Sequence, residues 1–198
     1  MNIKNVASTI FMAVVLCLAG QAQAAPPVLD QQADVADPIP FTFALGGFFN
    51  QVLYQSFTVG LGGRLAKIRL PIGCESGEVI LEIFDANSDG LPIAGAPARL
   101  TRAFDAEMFP AVVSGDFQPL PMGARLRVSP GERLVMVLSN PSGSCGIAFG
   151  VAGDHYLGGT GHAEDTVNTF PVPLHFSPTN PDDLPFQTFV QARGPGAR

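Results

Sequence analysis

Tryptophan is absent from this 198-residue chain, and tyrosine occurs only at Tyr54 and Tyr156. Flat indole and phenol platforms are therefore scarce, which counts against tight binding to crystalline polysaccharide. Charge is sparse as well: 14% of residues are Asp, Glu, Lys or Arg, and the formal net charge is −6. An acidic chain with scattered cations repels phosphate backbones, so neither nucleic acid nor an anionic membrane surface is an expected partner. The serines Ser56, Ser114 and Ser142 lie outside any Gly-x-Ser-x-Gly elbow, and no His-x-x-x-His or Glu-x-x-His spacing occurs. Nothing selects a pair of catalytic carboxylates, since Glu78 and Glu82 would share the solvent face of one strand. No fixed-period repeat is visible, which disfavours a propeller or solenoid. No stretch of a dozen residues sustains helical apolar spacing without a Gly or Pro interrupting it.

One apolar run stands out, and it lies at the start. Lys4 supplies a positive n-region, residues 10–20 form a short apolar core, and Ala22-Gln23-Ala24 is a small-x-small cleavage pattern. The run is too short to span a hydrocarbon layer, which needs about 20 residues. Cys17 follows Leu16, where a lipid-acceptor cysteine needs a small residue, so cleavage after Ala24 is expected. Residues 1–24 thus read as a cleavable signal peptide, with the product secreted, periplasmic or on the cell surface. No second apolar run approaches membrane length, so no transmembrane segment is expected after residue 24.

Cysteine use fits that compartment. Of three cysteines, Cys17 leaves with the signal, and the even pair Cys74 and Cys145 remains. In an exported chain such a pair is expected to form a disulfide.

What the chain does contain is strand material. Twenty-two glycines and eighteen prolines punctuate short runs rich in Val, Ile, Leu, Phe and Thr. Residues 78–85 (EVILEIFD) alternate most clearly, with Val79, Leu81 and Ile83 on one side. Strands are also expected over 52–59, 64–72, 97–104, 112–120, 124–128, 133–139, 145–152 and 185–191. In the second of these the alternation slips at Ala66-Lys67, which marks either a bulge or a strand placed one residue off. Residues 25–45 read as an extended leader, 46–192 as the folded domain and 193–198 as a frayed tail. About nine or ten short strands separated by Gly/Pro turns predict an all-β, two-sheet antiparallel β-sandwich, jelly-roll-like in kind.

The order of several segments resembles a broad family. Gln55-Ser56-Phe57, Leu65-Ala66-Lys67-Ile68, residues 79–85, Gly90-Leu91-Pro92, residues 130–134, Tyr156-Leu157-Gly158-Gly159 and residues 183–189 are similar to secreted bacterial β-sandwich modules. These are the carbohydrate-binding or galactose-binding-like jelly rolls appended to extracellular enzymes and surface proteins. The resemblance spans most of residues 51–191. It implies a sandwich fold, and a binding rather than catalytic role.

Candidate sites are few. Asp85-Ala86-Asn87-Ser88-Asp89-Gly90 has the D-x-N-x-D-G opening of a calcium loop, making Asp85, Asn87 and Asp89 candidate ligands. The twelfth position holds Ala96 instead of a carboxylate, so a plain hairpin turn of good turn formers is the competing reading. Asp154, His155 and His162, with Glu164, Asp165 and His175 beyond, have the chemistry to bind metal or move protons, but lack a metal-ligand spacing. With Tyr156 they are the candidate ligand contacts. The fifteen phenylalanines are enough to fill a core without Trp, although Phe48-Phe49 beside Tyr54, or Phe170, Phe176 and Tyr156, would leave exposed aromatic surface if they lie in loops. The expected protein is therefore an exported, non-catalytic module binding an extracellular glycan or surface ligand through edge loops. The alternatives are a structural or protein-interaction component of the cell surface or matrix, and a small metal-dependent hydrolase.

Overall fold

A computed structural model describes residues 25–36, 42–123, 126–151, 155–165, 171–177, 180–181 and 183–192. The expected signal segment 1–24 and the expected tail 193–198 lie outside these.

The strands are β1 (Val28–Ala33), β2 (Thr42–Gly46), β3 (Val52–Thr58), β4 (Gly63–Leu70), β5 (Ile72–Ser76), β6 (Glu78–Asp85), β7 (Leu100–Asp105) and β8 (Gln118–Pro121). They continue as β9 (Arg127–Val128), β10 (Arg133–Ser139), β11 (Ser144–Ala148), β12 (Gly161–Glu164), β13 (Val172–Pro173), β14 (His175–Ser177), β15 (Asn180–Pro181) and β16 (Phe186–Gln191). Among the described residues a single 3-10 turn, Ala106–Met108, interrupts them. Among the described residues no helix is long and apolar enough to cross a membrane.

All pairings are antiparallel. One sheet runs β1-β16-β4-β8, with β9 also on β4, and a six-stranded sheet runs β13-β12-β3-β10-β6-β7. A three-stranded sheet, β2-β11-β5, completes the sandwich. The strand count exceeds the nine or ten expected because β1, β2, β5 and β12 to β15 form where no separate strand is expected, β13 to β15 being only two or three residues long.

One continuous core joins the sheets. Val79, Leu81 and Ile83 of β6 are fully buried, as their alternation predicts, together with Phe57, Leu65, Ile68, Phe186 and Ile147. The Phe57 and Phe186 rings, from opposite sheets, lie 6.0 Å apart. The expected slip in the second strand is a bulge: Phe189 pairs with Lys67 and Val190 with Leu65, so Ala66 has no partner across the ladder. A second, smaller cluster buries Tyr54, Val135 and Val137 beneath the turn after β6, with Phe84 and Leu91 packed on it.

Two expectations need correction. Residues 25–45 are not only a leader: β1 pairs with β16, and β2 pairs with β11. Of the strand expected at 112–120, only its end is realised, as β8. Pro110 and the chain after it instead approach the free edge of β5, where the Pro110 carbonyl accepts from Cys74 N–H.

Cys74 and Cys145 stand directly opposite each other in β5 and β11, buried and at disulfide distance. The bond staples the middle strand of the three-stranded sheet.

Candidate functional site

The residues singled out from sequence do not converge. Asp154 lies outside the described residues. His155 is exposed, whereas His162 is buried on β12, opposite Tyr54 of β3. Tyr156 points into the core: its ring meets Phe186 edge-on at 5.1 Å, and its hydroxyl donates to Gln31 Oε1 and accepts from Thr58 N–H. Burial pushes its phenol up to about 12, and the nearby Asp30 and Asp183 carboxylates act in the same direction against the Thr58 hydrogen bond. Burial, with Glu164 beside it, likewise raises the phenol of Tyr54. Both tyrosines are thus structural.

Behind Tyr156 sits a buried polar group that sequence reasoning missed. Asp183 accepts from Gln55 Nε2 at 2.8 Å and from Tyr156 N–H at 3.1 Å, while Gln55 Oε1 accepts from Leu184 N–H at 2.7 Å. These bonds satisfy polar atoms that would otherwise be costly to bury, and they tie the Gly-rich loop to β3. Gln55 looked like an ordinary strand residue, and only its partners, more than a hundred residues away, reveal its role.

The 85–90 segment is built as a turn. Asn87 Oδ1 accepts from Asp89 N–H and Leu91 N–H, an Asx-type arrangement. Asp85 pairs with Arg99 at 3.1 Å, and the same guanidinium nitrogen reaches Glu132. Asp89 is exposed and accepts from the Ser88 hydroxyl. Among the described residues no group of three or more His, Cys, Asp or Glu is placed to hold a metal ion.

The most exposed aromatic feature is the turn between β2 and β3. Phe48 is 93% exposed and Phe49 52%, with their rings edge-to-face at 5.1 Å. The backbone around them is held firmly. Gly46 and Gln51 exchange two hydrogen bonds, Asn50 N–H donates to Gly47 O, and Gly47 N–H donates to Gly143 O. Gly46 has φ +72°, and a side chain there would run into the Asn140 and Gly143 carbonyls, so glycine is required. Among the described residues Asn50, at φ 49°, is the non-glycine residue in the left-handed region, a conformation Asn tolerates.

Asn140 is the hub beneath this turn. Fully buried at the end of β10, it donates to Ser76 O at 2.8 Å and accepts from Glu78 N–H at 3.2 Å. The disulfide at Cys145 lies beside it. The turn that presents Phe48 and Phe49 therefore rests on the stapled sheet.

Known protein families and curated proteins give no match to this chain. The functional reading is carried by its own residues.

Proposed function

We propose that the chain is an exported, non-catalytic β-sandwich module that docks a protein partner through the Phe48–Phe49 turn. The observation that carries this reading is a pair of exposed phenylalanines on a turn whose flanking backbone is held by four hydrogen bonds. Burying a Phe side chain contributes about 1.5–3 kcal/mol, so leaving two exposed on an ordered turn points to burial elsewhere. Rings set at 87° to each other form a knuckle that suits an apolar pocket better than the flat face of a sugar. The acidic and hydroxyl groups of the Tyr156 region support the same reading, because Asp183 and Tyr156 are spent on structural hydrogen bonds.

The test compares the purified protein with a Phe48→Ser/Phe49→Ser variant in cross-linking against the extracellular and envelope proteins of the producing cell. A defined partner cross-linked by the wild type and lost in the variant, at unchanged melting temperature, supports the proposal. Equal cross-linking by both proteins, or no partner for either, refutes it.

A further inference from the structure

A second surface, on a different sheet, has a different chemistry. The outer face of the β1-β16-β4-β8 sheet carries three rows of side chains, read from the strand register. Arg127, Arg64 and Gln191 form the first row; Pro121, Lys67, Phe189 and Leu29 the second; Pro119, Arg69, Gln187 and Gln32 the third. Four cations thus lie on one face of a chain whose formal charge is −6, and no row contains an acid.

Arg64, Lys67 and Arg69 each meet a neutral partner. Arg64 donates to Gln191 Oε1 at 2.6 Å. Arg69 donates to Phe117 O and to Gln187 Oε1. The Lys67 ammonium sits 4.3 Å over the Phe189 ring. Both ion pairs among the described residues belong to Arg99, and none of these four cations joins one. Arg64 and Arg127 are direct cross-strand partners, an arrangement of like charges that destabilises a sheet unless something else neutralises it. Beside them an open groove of about 260 Å³ is lined by Arg64, Ala66, Pro121, Gly123 and Gln191. That is slightly below the size of pockets that enclose a whole small ligand, and it suits one unit of a longer chain.

We infer that this face binds an acidic extracellular polysaccharide, with its carboxylates along the Arg64–Lys67–Arg69 line and one sugar unit in the groove beside Arg64. From Arg64 to Arg69 the strand covers about 15 Å, so the partner is extended and carries repeated negative charge. Guanidinium groups pair well with carboxylates, while Gln191, Gln187 and Gln32 hold the array in place through bonds to Arg64, Arg69, Ala25 O, Asp34 and one another. The face lacks the clustered aromatic anchors that dominate protein interfaces, which favours a glycan over an acidic protein.

Binding is read by titration calorimetry with polygalacturonate, its fully methyl-esterified form and poly-glutamate as probes. The expected result is binding to polygalacturonate that weakens as salt is raised and is lost on esterification. An Arg64→Gln/Arg69→Gln variant should weaken it about tenfold or more, while Arg64→Lys/Arg69→Lys retains most of it. The Phe48→Ser/Phe49→Ser variant should bind the polyuronate like wild type, so failure of the protein-docking reading leaves this result unaffected. The inference is overturned by an absence of polygalacturonate binding, by equal binding of the esterified polymer, by equal affinity of the Gln variant at unchanged melting temperature, or by tighter binding of poly-glutamate.

Discussion

Breaking the Cys74–Cys145 link should cost more than any single packing defect in this molecule, and should do so unevenly. The two cysteines are 71 residues apart in sequence. In the chain-entropy treatment, closing a loop of that length in the unfolded chain stabilises the fold by about 4 kcal/mol at 25 °C. Replacement by alanine adds little further loss, because each side chain is small and its neighbours remain. For a domain of this size the expected drop in melting temperature is about 10 °C, for Cys74→Ala/Cys145→Ala or for wild type with reductant. Circular dichroism melts of oxidised, reduced and variant protein, with thiol titration to establish the redox state, measure it. Amide exchange should locate the loss: protection should fall first in β2, β5 and the 47–50 turn, which the stapled strand β11 supports, and last in β3, β10 and β6. A drop smaller than about 3 °C with both thiols shown free would refute the reasoning.

Two other perturbations have definite outcomes. With no Trp and only two Tyr, near-ultraviolet absorbance reports Tyr54 and Tyr156 alone. An unfolded phenol ionises near pH 10, whereas the Tyr156 phenol keeps its proton to about 12, so stability from this residue is complete below about pH 10 and is lost as pH rises toward 12. Tyrosinate absorbance should therefore stay flat through pH 10 and rise together with unfolding; a separate native-state titration near pH 10 would contradict the buried placement. Asn140→Ala removes the acceptor of Glu78 N–H and the donor to Ser76 O, and should destabilise by about 2–3 kcal/mol in urea melts. A change below about 0.5 kcal/mol would show that water replaces the side chain.

The strands that can be read from sequence are those whose own residues alternate. EVILEIFD announced β6 and its buried side, and the slip at Ala66-Lys67 announced the bulge in β4. β1 escaped notice because VLDQQA is half polar, and it is a strand only by virtue of β16, whose residues lie more than 150 positions away. Long-range pairing of this kind leaves no local trace. Tyr156 was misread for the same reason: a Gly-rich neighbourhood looks like open loop, yet Phe186, Gln31 and Thr58 come from three other segments to enclose the ring. The exposed Phe48 and Phe49 were legible as an aromatic pair, but their exposure depends on Gly46 and Asn140 holding the turn from below. The basic face needed the register of five strands, since Arg64, Arg127, Lys67 and Arg69 are unremarkable along the chain.

The place of β16 bears on how the chain acquires its shape. Among the described strands it is the last in sequence, and it lies between β1 and β4 instead of at a margin. Until residues 186–191 are available, β1 has no ladder and β4 lacks its neighbour on that side. Completion must therefore wait for the far end of the polypeptide, whichever segments collapse earlier. During synthesis that delay means the emerging N-terminal portion cannot close its sheet before residues 186–191 appear. Cutting the chain before residue 186 would leave two open ladders facing each other across an empty slot, inviting insertion of a strand from another molecule.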